Sequence, residues 1–171
     1  MKNWKRLFRT ALAVCTLLLG TTLVQAENLT GSVVKVYDGD TFTLRTDDGE
    51  TFRIRLHGID APEMKDSQPY CKASRNWLAD MIANRTVTVD IKDTDRYGRY
   101  IGVVSTENIK DVNLEMLRAG MAWHYSHYDR TAAYAKAEKE ARRLKKGLWR
   151  DGNPINPRIW RNRNIHLLDQ E

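Results

Sequence analysis

One stretch constrains the fold of this chain more than any other, because it has the pattern of a β-strand that runs into a turn. Polar and apolar residues alternate over residues 51–57, with the period of two that a half-buried strand shows. Arg53 and Arg55 therefore share one face of the predicted strand, and the apolar residues share the other. Gly58 and Pro62 mark the point at which regular pairing ends.

Two acidic residues, Asp60 and Glu63, occupy the turn that follows this strand. They lie close in sequence to the strand end that carries Arg55. A cation beside two acids is commonly a surface salt bridge, which contributes little to stability. Two further stretches favour a functional interpretation instead, Asp-Gly-Asp-Thr at residues 38–41 and Asp-Arg-Tyr-Gly-Arg at residues 95–99.

The residues before this strand predict a three-stranded meander. Residues 29–37 are rich in valine and form a first strand. A turn follows, in which Gly39 can take a positive φ. Residues 41–46 form a second strand, and Asp-Asp-Gly at residues 47–49 is a hairpin signal that leads into the third.

The chain beyond the meander predicts two more strands and about three helices. The strands cover residues 86–91 and 100–104, and the helices cover residues 70–83, 111–120 and 131–146. Apolar residues at helical spacing predict the buried faces of two of these helices. For the first helix they are Tyr70, Ala73, Trp77, Leu78, Met81 and Ile82. For the third helix they are Tyr134, Ala137, Ala141, Leu144 and Leu148.

The last part of the chain predicts no regular element. Pro154 and Pro157 argue against a helix or strand, so residues 150–171 are expected to wrap the surface as a tail. Periodicity alone therefore gives one domain of the α+β class.

The first 26 residues have the layout of a secretory signal peptide. Four basic residues precede an uncharged apolar run at residues 11–19, and Val-Gln-Ala at residues 24–26 offers small residues for cleavage. An uncleaved membrane anchor is the alternative, although the run is marginal for spanning a bilayer. We expect a mature domain of residues 27–171 and a secreted or periplasmic protein.

Removal of the leader changes the charge argument. The whole chain carries +6 and the leader accounts for +4, so the mature chain carries +2. A prediction of nucleic-acid binding must therefore rest on where the charges lie. Cleavage also leaves Cys71 as the single cysteine, so the mature monomer has no internal disulfide. Cys71 lies near the buried edge of a predicted helix and is not expected to be catalytic.

An ordered set of short motifs resembles the staphylococcal nuclease (thermonuclease) family. The motifs are Val36-Tyr37-Asp38-Gly39-Asp40-Thr41, Arg55 to Glu63, Asp95-Arg96-Tyr97-Gly98-Arg99, Val112-Asn113 with Leu117 and Ala119-Gly120-Met121-Ala122, Ala141-Arg142 with Lys146-Gly147-Leu148-Trp149, and Asn153-Pro154 with Trp160-Arg161. Each motif alone is weak, but the set covers nearly everything between the first and last of them. The resemblance implies a five-stranded OB-type Greek-key β-barrel with about three helices.

The resemblance also assigns a metal site. It makes Asp40 and Asp60 ligands of a calcium ion, with the backbone carbonyl of Ala61 as a third ligand. Calcium is a hard cation that prefers such oxygen ligands. The family often has threonine at the position of Ala61, and a carbonyl ligand tolerates that change.

Three residues match the catalytic groups of the family. Glu63 matches the glutamate that activates or orients the attacking water. Arg55 and Arg99 match the two arginines that hold the phosphate, and the forked donors of arginine suit phosphate oxygens.

Aromatic residues near the basic loop are candidates for contact with nucleotide bases. The resemblance places the regions of Tyr97, Tyr125 and Tyr128 around the base, where stacking tolerates any sequence. Arg96, beside Tyr97, is a further substrate-binding candidate. Packing in the core is the alternative for each tyrosine.

Two other patterns have a simpler interpretation. His124 and His127 could ligate a transition metal, but a histidine pair without further ligands is more often incidental. The basic residues of the third predicted helix are interleaved with Glu138 and Glu140, which is typical of a solvated face, with direct contact to nucleic acid as the alternative.

The resemblance implies a calcium-dependent endonuclease that hydrolyses DNA and RNA with little sequence preference and leaves 3′-phosphate ends. We expect single-stranded substrates to be preferred, a monomer, and no stable membrane association after leader cleavage. The rival is a non-catalytic OB-type module that binds single-stranded nucleic acid. Arg55, Asp60, Glu63 and Arg99 are all retained, which favours the enzyme.

Overall fold

The structure is a computed structural model that describes residues 28–168, and the predicted leader lies outside this part of the chain. The strands are β1 (Asn28–Val36), β2 (Thr41–Arg45), β3 (Thr51–Leu56), β4 (Ile59–Asp60), β5 (Thr86–Thr94), β6 (Tyr100–Thr106) and β7 (Trp123–His124). The α-helices are α1 (Cys71–Ile82), α2 (Val112–Arg118), α3 (Ala132–Arg143) and α4 (Pro157–Leu168), and Lys65–Ser67 and Gly147–Arg150 form short 3₁₀ helices. No helix in this part of the chain is long and apolar enough to cross a membrane.

Five of the strands close into a barrel in the order β1-β2-β3-β6-β5. β1 pairs with β2 and β5, β2 pairs with β3, and β5 pairs with β6, all antiparallel. β3 and β6 close the barrel as a parallel pair. This closed barrel, with α1 between its third and fourth strands, is an OB-type arrangement. The predicted α+β class and the predicted barrel are therefore confirmed.

The barrel has a core because alternate residues of its strands are apolar and point inward. Phe42 and Leu44 of β2 and Ile54 and Leu56 of β3 are at most 1% exposed. Burying a side chain of this size stabilises the fold by about 1.5–3 kcal/mol relative to leaving it exposed. Arg55 alternates with these residues of β3, as the period of two predicts.

A buried asparagine of α2 satisfies the backbone near the end of the parallel pair. The Nδ2 of Asn113 donates to the carbonyl oxygens of His57 (2.9 Å) and Gly102 (3.1 Å). Its Oδ1 accepts from the N–H of Val104 at 3.1 Å. Buried backbone groups need such partners. Asn113 thereby fixes α2 against the segment that leads from β3 towards Asp60.

Asp60 itself lies in a small second sheet. In the two-residue ladder of β4 and β7, Ile59 lies opposite His124 and Asp60 lies opposite Trp123. The backbone of Ile59 and Asp60 is therefore paired with β7, and the N–H of Ala61 donates to Asp40, which together hold this turn in one conformation.

The buried face of α1 differs from the predicted one. Its buried residues are Cys71, Ser74, Leu78 and Ile82. The prediction that Ala73 and Trp77 are buried is wrong, since both are exposed and Trp77 is 44% exposed. The helix is rotated relative to the predicted face, and the polar Ser74 takes an inward position in which its hydroxyl donates to the carbonyl of Met121 at 2.7 Å.

The ends of the last two helices also differ from the predictions. α3 ends at Arg143, and Leu144, predicted to be buried, is 45% exposed at its C-terminus. The prediction of an irregular tail is wrong, because α4 begins at Pro157. The fixed φ and missing N–H of proline suit the first turn of a helix. The described residues thus contain four α-helices rather than about three.

The prediction of a positive φ at Gly39 is wrong as well, since the glycines with positive φ in the described residues lie elsewhere. Close packing explains this glycine instead. A Cβ at Gly39 would lie 1.8 Å from the Oγ of Ser74 and 2.8 Å from the Cβ of Ala61. The turn before β2 therefore packs directly on α1 and on the turn that carries Asp60.

Candidate active site

Arg55 joins two buried acids that come from different turns. Its Nη1 donates to the Oδ1 of Asp40 at 2.6 Å, and its Nη2 donates to the Oδ1 of Asp60 at 2.8 Å. Thr41, the residue after Asp40, is the β2 partner of Arg55 in the barrel. Strand pairing therefore brings the two predicted calcium ligands to one guanidinium.

The burial of these acids makes Arg55 necessary to the fold. Asp40 and Asp60 are 3% and 2% exposed, and a buried ionised carboxyl group needs a charged partner. Burial works against the charge of Arg55, but Asp40 and Asp60 outweigh it and raise the pKa of the guanidinium. The three groups therefore form one salt-bridged cluster.

Asp40 also holds the backbone of the third predicted ligand. Its Oδ2 accepts from the N–H of Ala61 at 2.9 Å, and its Oδ1 accepts from the hydroxyl of Thr41 at 2.9 Å. Asp38, which the sequence predictions omit, lies at the same turn, and its Oδ1 accepts from the N–H of Asp40 at 3.0 Å. Burial and the neighbouring Asp40 raise the pKa of Asp38 to about 7. Its place two residues before Asp40 is the signal that could have identified it.

Glu63 lies in the segment between β4 and α1, beside Asp60. Its backbone N–H donates to the Oε1 of Gln68 at 2.9 Å, and Gln68 is 2% exposed. Burial raises the pKa of the Glu63 carboxyl group, and Arg161 counteracts this rise. The predicted water-activating group is thus half-buried and adjacent to the predicted metal ligands.

Arg161 of α4 is the main residue that sequence reasoning missed, although it belongs to one of the family motifs. Its Nη1 donates to the Oε1 of Glu63 (2.5 Å) and to the Oδ1 of Asp60 (3.0 Å). Its Nη2 donates to the Oδ2 of Asp60 at 2.9 Å. Burial works against its charge, but the two acids outweigh it and raise the pKa of Arg161. An expected irregular tail gave no indication of where this side chain would lie.

Arg99 lies in the loop between β5 and β6 and is paired with Asp95. Its Nε donates to the Oδ2 of Asp95 at 2.7 Å, and the Oδ1 of Asp95 accepts from the N–H groups of Tyr97 (2.8 Å) and Arg99 (3.1 Å). No hydrogen bond within residues 28–168 joins Arg99 to the acids around Arg55. Ile101 is the β6 partner of Arg55, so the alternation along β6 places Arg99 at the start of the same face.

Comparison with known proteins agrees with these motifs. The family model described as "Staphylococcal nuclease homologue" matches residues 53–151. The chain belongs to the staphylococcal nuclease family. An uncharacterized endonuclease of Escherichia coli is 42% identical over 140 residues, which cover 82% of this chain and 90% of that protein. An uncharacterized endonuclease of Haemophilus influenzae is 38% identical over 161 residues, covering 94% of this chain and 87% of that protein.

A plant relative is similar over a shorter region. A staphylococcal-like nuclease of Arabidopsis thaliana is 46% identical over 110 residues, which cover 64% of this chain and 33% of that protein. The predicted family is therefore confirmed over the barrel and the helices that follow it.

Two of the tyrosines that the nuclease family resemblance assigns to base contact are exposed. Tyr97 is 69% exposed and Tyr128 is 67% exposed, which excludes packing in the core for both. The Arg96 guanidinium lies 4.9 Å from the ring centroid of Tyr97 and donates to its hydroxyl at 2.7 Å. Tyr125 is half-buried and packs edge-on against Tyr128, with ring centroids 4.8 Å apart.

Tyr125 also lines a cleft next to the acids. The cleft has a volume of about 320 Å³, and Asp60, His124 and Arg158 contribute to its walls. The structure therefore brings Tyr125 to the predicted metal site, whereas Tyr97 lies in the loop that carries Arg99.

His124 belongs to a hydrogen-bonded network and is not paired with His127. The Nε2 of His124 lies 2.8 Å from the Oδ2 of Asp129, and the Nδ1 of His57 lies 4.0 Å from its Oδ1. Asp129 is 6% exposed. Over residues 28–168, no three His, Cys, Asp or Glu side chains form a group that could hold a metal. The alternative of a transition-metal site at His124 and His127 has no support in this arrangement.

Within residues 28–168 no such group is preassembled around Arg55 either, so the fit of the hard divalent cation that this nuclease family implies rests on the type of donor. The donors are oxygen atoms of buried carboxyl groups, with the backbone of Ala61 held against Asp40. The acids that pair with Arg55 and Arg161 there are Asp40, Asp60 and Glu63, and Asp38 lies beside Asp40. Three carboxyl groups against two guanidiniums leave an excess of one acid, and this formal charge attracts a cation.

Proposed function

We propose that this protein is a calcium-dependent endonuclease that hydrolyses phosphodiester bonds of DNA and RNA with little sequence preference. The observation that carries the proposal is the cluster in which Arg55 joins Asp40 and Asp60, with Glu63 beside them. The endonucleases and staphylococcal-like nucleases that the chain resembles support the same activity. Exposed tyrosines can stack on unpaired bases, which favours single-stranded substrates.

The side chains of the site have different roles in phosphodiester hydrolysis. Glu63 orients the attacking water and accepts its proton. Arg55 and Arg99 donate to phosphate oxygens and stabilise the charge of the transition state. Within the described residues, Arg55 uses three of its five N–H groups on protein oxygens, so two can donate to substrate.

Asp40, Asp60 and the carbonyl of Ala61 would hold the calcium ion. A bound calcium ion neutralises charge on the phosphate and acts on it as a Lewis acid. In the reaction, the water oxygen bonds to phosphorus while the bond from phosphorus to the 5′ oxygen breaks. The attacking water gives one proton to Glu63 and the 5′ oxygen takes one from solvent water, which leaves a 3′-phosphate on one product and a 5′-hydroxyl on the other.

The protein is further proposed to act as a secreted or periplasmic monomer after cleavage of the leader at Ala26. The basic start and apolar run of residues 1–26 support this proposal. The intact mass of the protein recovered from its native host tests it. A mass that still includes residues 1–26 would favour the membrane anchor.

A cleavage assay distinguishes the enzyme from a non-catalytic binding module. Plasmid DNA, a single-stranded oligonucleotide and RNA are incubated with calcium or with a calcium chelator. We expect cleavage only with calcium, and 5′-hydroxyl ends that polynucleotide kinase labels without prior phosphatase treatment. Binding of the oligonucleotide without cleavage at any calcium concentration would establish the binding module instead.

A further inference from the structure

Arg161 reaches the site from a part of the chain outside the matched domain. The family model ends at residue 151, and Arg161 lies ten residues further on, in α4. Its guanidinium nevertheless contacts both Asp60 and Glu63, through the three hydrogen bonds described above. The predicted metal ligand and the predicted water-activating group are therefore connected by a side chain that the barrel does not supply.

The geometry of these contacts fixes one carboxyl group relative to the other. Both terminal nitrogens of Arg161 bond to the two oxygens of Asp60, which sets the plane of the guanidinium. The same Nη1 also donates to the Oε1 of Glu63 at 2.5 Å. Two carboxylates so close would repel each other without a cation between them. The bridge holds Glu63 in one orientation beside Asp60.

A second, independent contact docks the same segment at Glu63. Gln68 is 2% exposed, and its Oε1 accepts from the backbone N–H of Glu63 at 2.9 Å. Its Nε2 donates to the carbonyl of Ile155 at 2.8 Å. One buried amide thus links the backbone of Glu63 to the chain that leads into α4. Both the backbone and the side chain of Glu63 depend on the C-terminal segment.

We propose that Arg161 is a positioning residue that holds the Glu63 carboxyl group in its working orientation, and that the segment after the matched domain completes the active site. The effect of Arg161 on catalysis rests on the proposed nuclease function. A role as a third phosphate-binding arginine is the alternative, and it predicts a rise in KM rather than a fall in kcat. The tests below distinguish this positioning role from a role of Arg161 in docking α4 alone.

The kinetic test compares variants at saturating calcium. Arg161→Ala should lower kcat about 10- to 100-fold, the usual effect of losing a group that orients a ligand or base, with KM changed less than about 3-fold. Arg161→Lys should lie between wild type and Arg161→Ala, because lysine keeps the charge but cannot bridge both carboxyl groups with a fork. The matched control is Arg118→Ala, which removes an exposed Arg–Glu pair on α2 (2.6 Å to Glu115) and should leave kcat unchanged. A kcat for Arg161→Ala within about 2-fold of wild type would overturn the inference.

A double-mutant cycle tests whether Arg161 acts through Glu63. In the Glu63→Gln background, Arg161→Ala should cost less than about 3-fold in kcat, because its partner is already impaired. Equal costs in both backgrounds would show that Arg161 does not work through Glu63. A rise in KM with unchanged kcat would show phosphate binding and would also overturn the inference.

The same cycle on unfolding needs neither substrate nor calcium. Urea denaturation with chelator present should give a coupling of at least about 3-fold in the unfolding equilibrium constant between Arg161→Ala and Glu63→Gln. Additive effects would show that the contact is not formed, which would refute the inference. If wild type cleaves no substrate, the proposed function fails, and this unfolding cycle still decides whether Arg161 holds Glu63.

Discussion

At the scale of the residue, Arg55 is shared between structure and chemistry. It compensates two acids that are almost fully buried, and within the described residues two of its five N–H groups have no protein acceptor, which the proposed function assigns to a phosphate. The geometry of its fork matters as much as its charge, since each terminal nitrogen serves a different carboxyl group. Substitutions at this position should therefore change stability and activity together.

Arg55→Lys tests the importance of the fork. Lysine keeps the positive charge but can approach only one of Asp40 and Asp60 closely, and the larger loss falls on Asp40, because Asp60 keeps its two hydrogen bonds from Arg161. We expect a loss of about 1–3 kcal/mol in the free energy of unfolding, measured by urea denaturation, and a severe loss of cleavage rate. The control is Arg53→Lys, two residues earlier on the same strand, where the guanidinium lies exposed over the ring of Tyr37 at 4.1 Å. Equal stability of the two variants would contradict this account.

Glu63→Gln tests the assigned base. The amide keeps the size of the side chain but cannot accept a proton from water, so the cleavage rate should fall at least about 10²-fold while the fold is kept. The measurement is single-turnover cleavage of an oligonucleotide at saturating calcium, with circular dichroism to verify folding. Glu107→Gln, an exposed change in the loop between β6 and α2, is the control. Near wild-type cleavage by Glu63→Gln would show that the active site has been assigned wrongly.

At the scale of the element, the strands followed from the sequence far better than the helix faces did. A strand that packs on one side repeats every two residues, so residues 51–57 allowed one register only. The face of α1 could not be read in this way, because the inward position of Ser74 depends on a carbonyl of a distant segment, at Met121. α4 was missed because proline both stops and starts helices, and the sequence alone did not distinguish the two at Pro157.

The residues of the candidate site differ in the same way in how far the sequence could predict them. Asp40, Arg55, Asp60 and Glu63 lie on or next to paired strands, so local pattern and family motifs were enough to assign them as candidates. Arg161 depends on how a terminal helix docks, which is a tertiary contact with no local pattern to predict it.

Gly39→Ala tests the packing between the turn before β2 and α1. The added Cβ would overlap the Oγ of Ser74 at 1.8 Å and press on Ala61 at 2.8 Å, so the turn or the helix must shift. We expect a loss of about 1–3 kcal/mol in the free energy of unfolding, as for other overpacked sites. Gly152→Ala is the matched control, because a Cβ there meets no atom within 4 Å in the described structure. A stable Gly39→Ala protein would show that this contact is loose.

At the scale of the whole molecule, Asp129 connects elements that are distant in the chain. It contacts His124 of β7, and it accepts from the hydroxyl (2.7 Å) and the backbone N–H (3.0 Å) of Thr131, which precedes α3. Burial would raise the pKa of Asp129, but Thr131 and His124 outweigh it and lower the pKa below its usual range. The ionised carboxylate therefore stabilises the native state.

The sign of this shift gives a pH dependence. The folded-state pKa of Asp129 is below the unfolded one, so its contribution is present above the unfolded pKa of about 3.9 and is lost as the pH falls through the folded value. Asp129→Asn should lower the free energy of unfolding by about 1–3 kcal/mol at pH 7, and the difference from wild type should shrink below about pH 4. Urea denaturation at pH 7, 5 and 3 measures both effects, with the exposed Asp47→Asn as control. A difference that stays constant down to pH 3 would contradict this assignment.

The parallel closure of β3 against β6 has a consequence for the order of events during folding. These strands are far apart in the chain, and contacts of that kind form late because the loop between them must first be ordered. Asn113 finds the carbonyls of His57 and Gly102 only when this closure is complete, and the turn that carries Asp60 begins there. A partly folded chain would therefore have its meander, with Asp40 beside Arg55, but not the fixed turn that carries Asp60 and leads to Glu63. If the protein crosses a membrane unfolded, it would do so in a form that cannot cut the nucleic acid of the cell that made it.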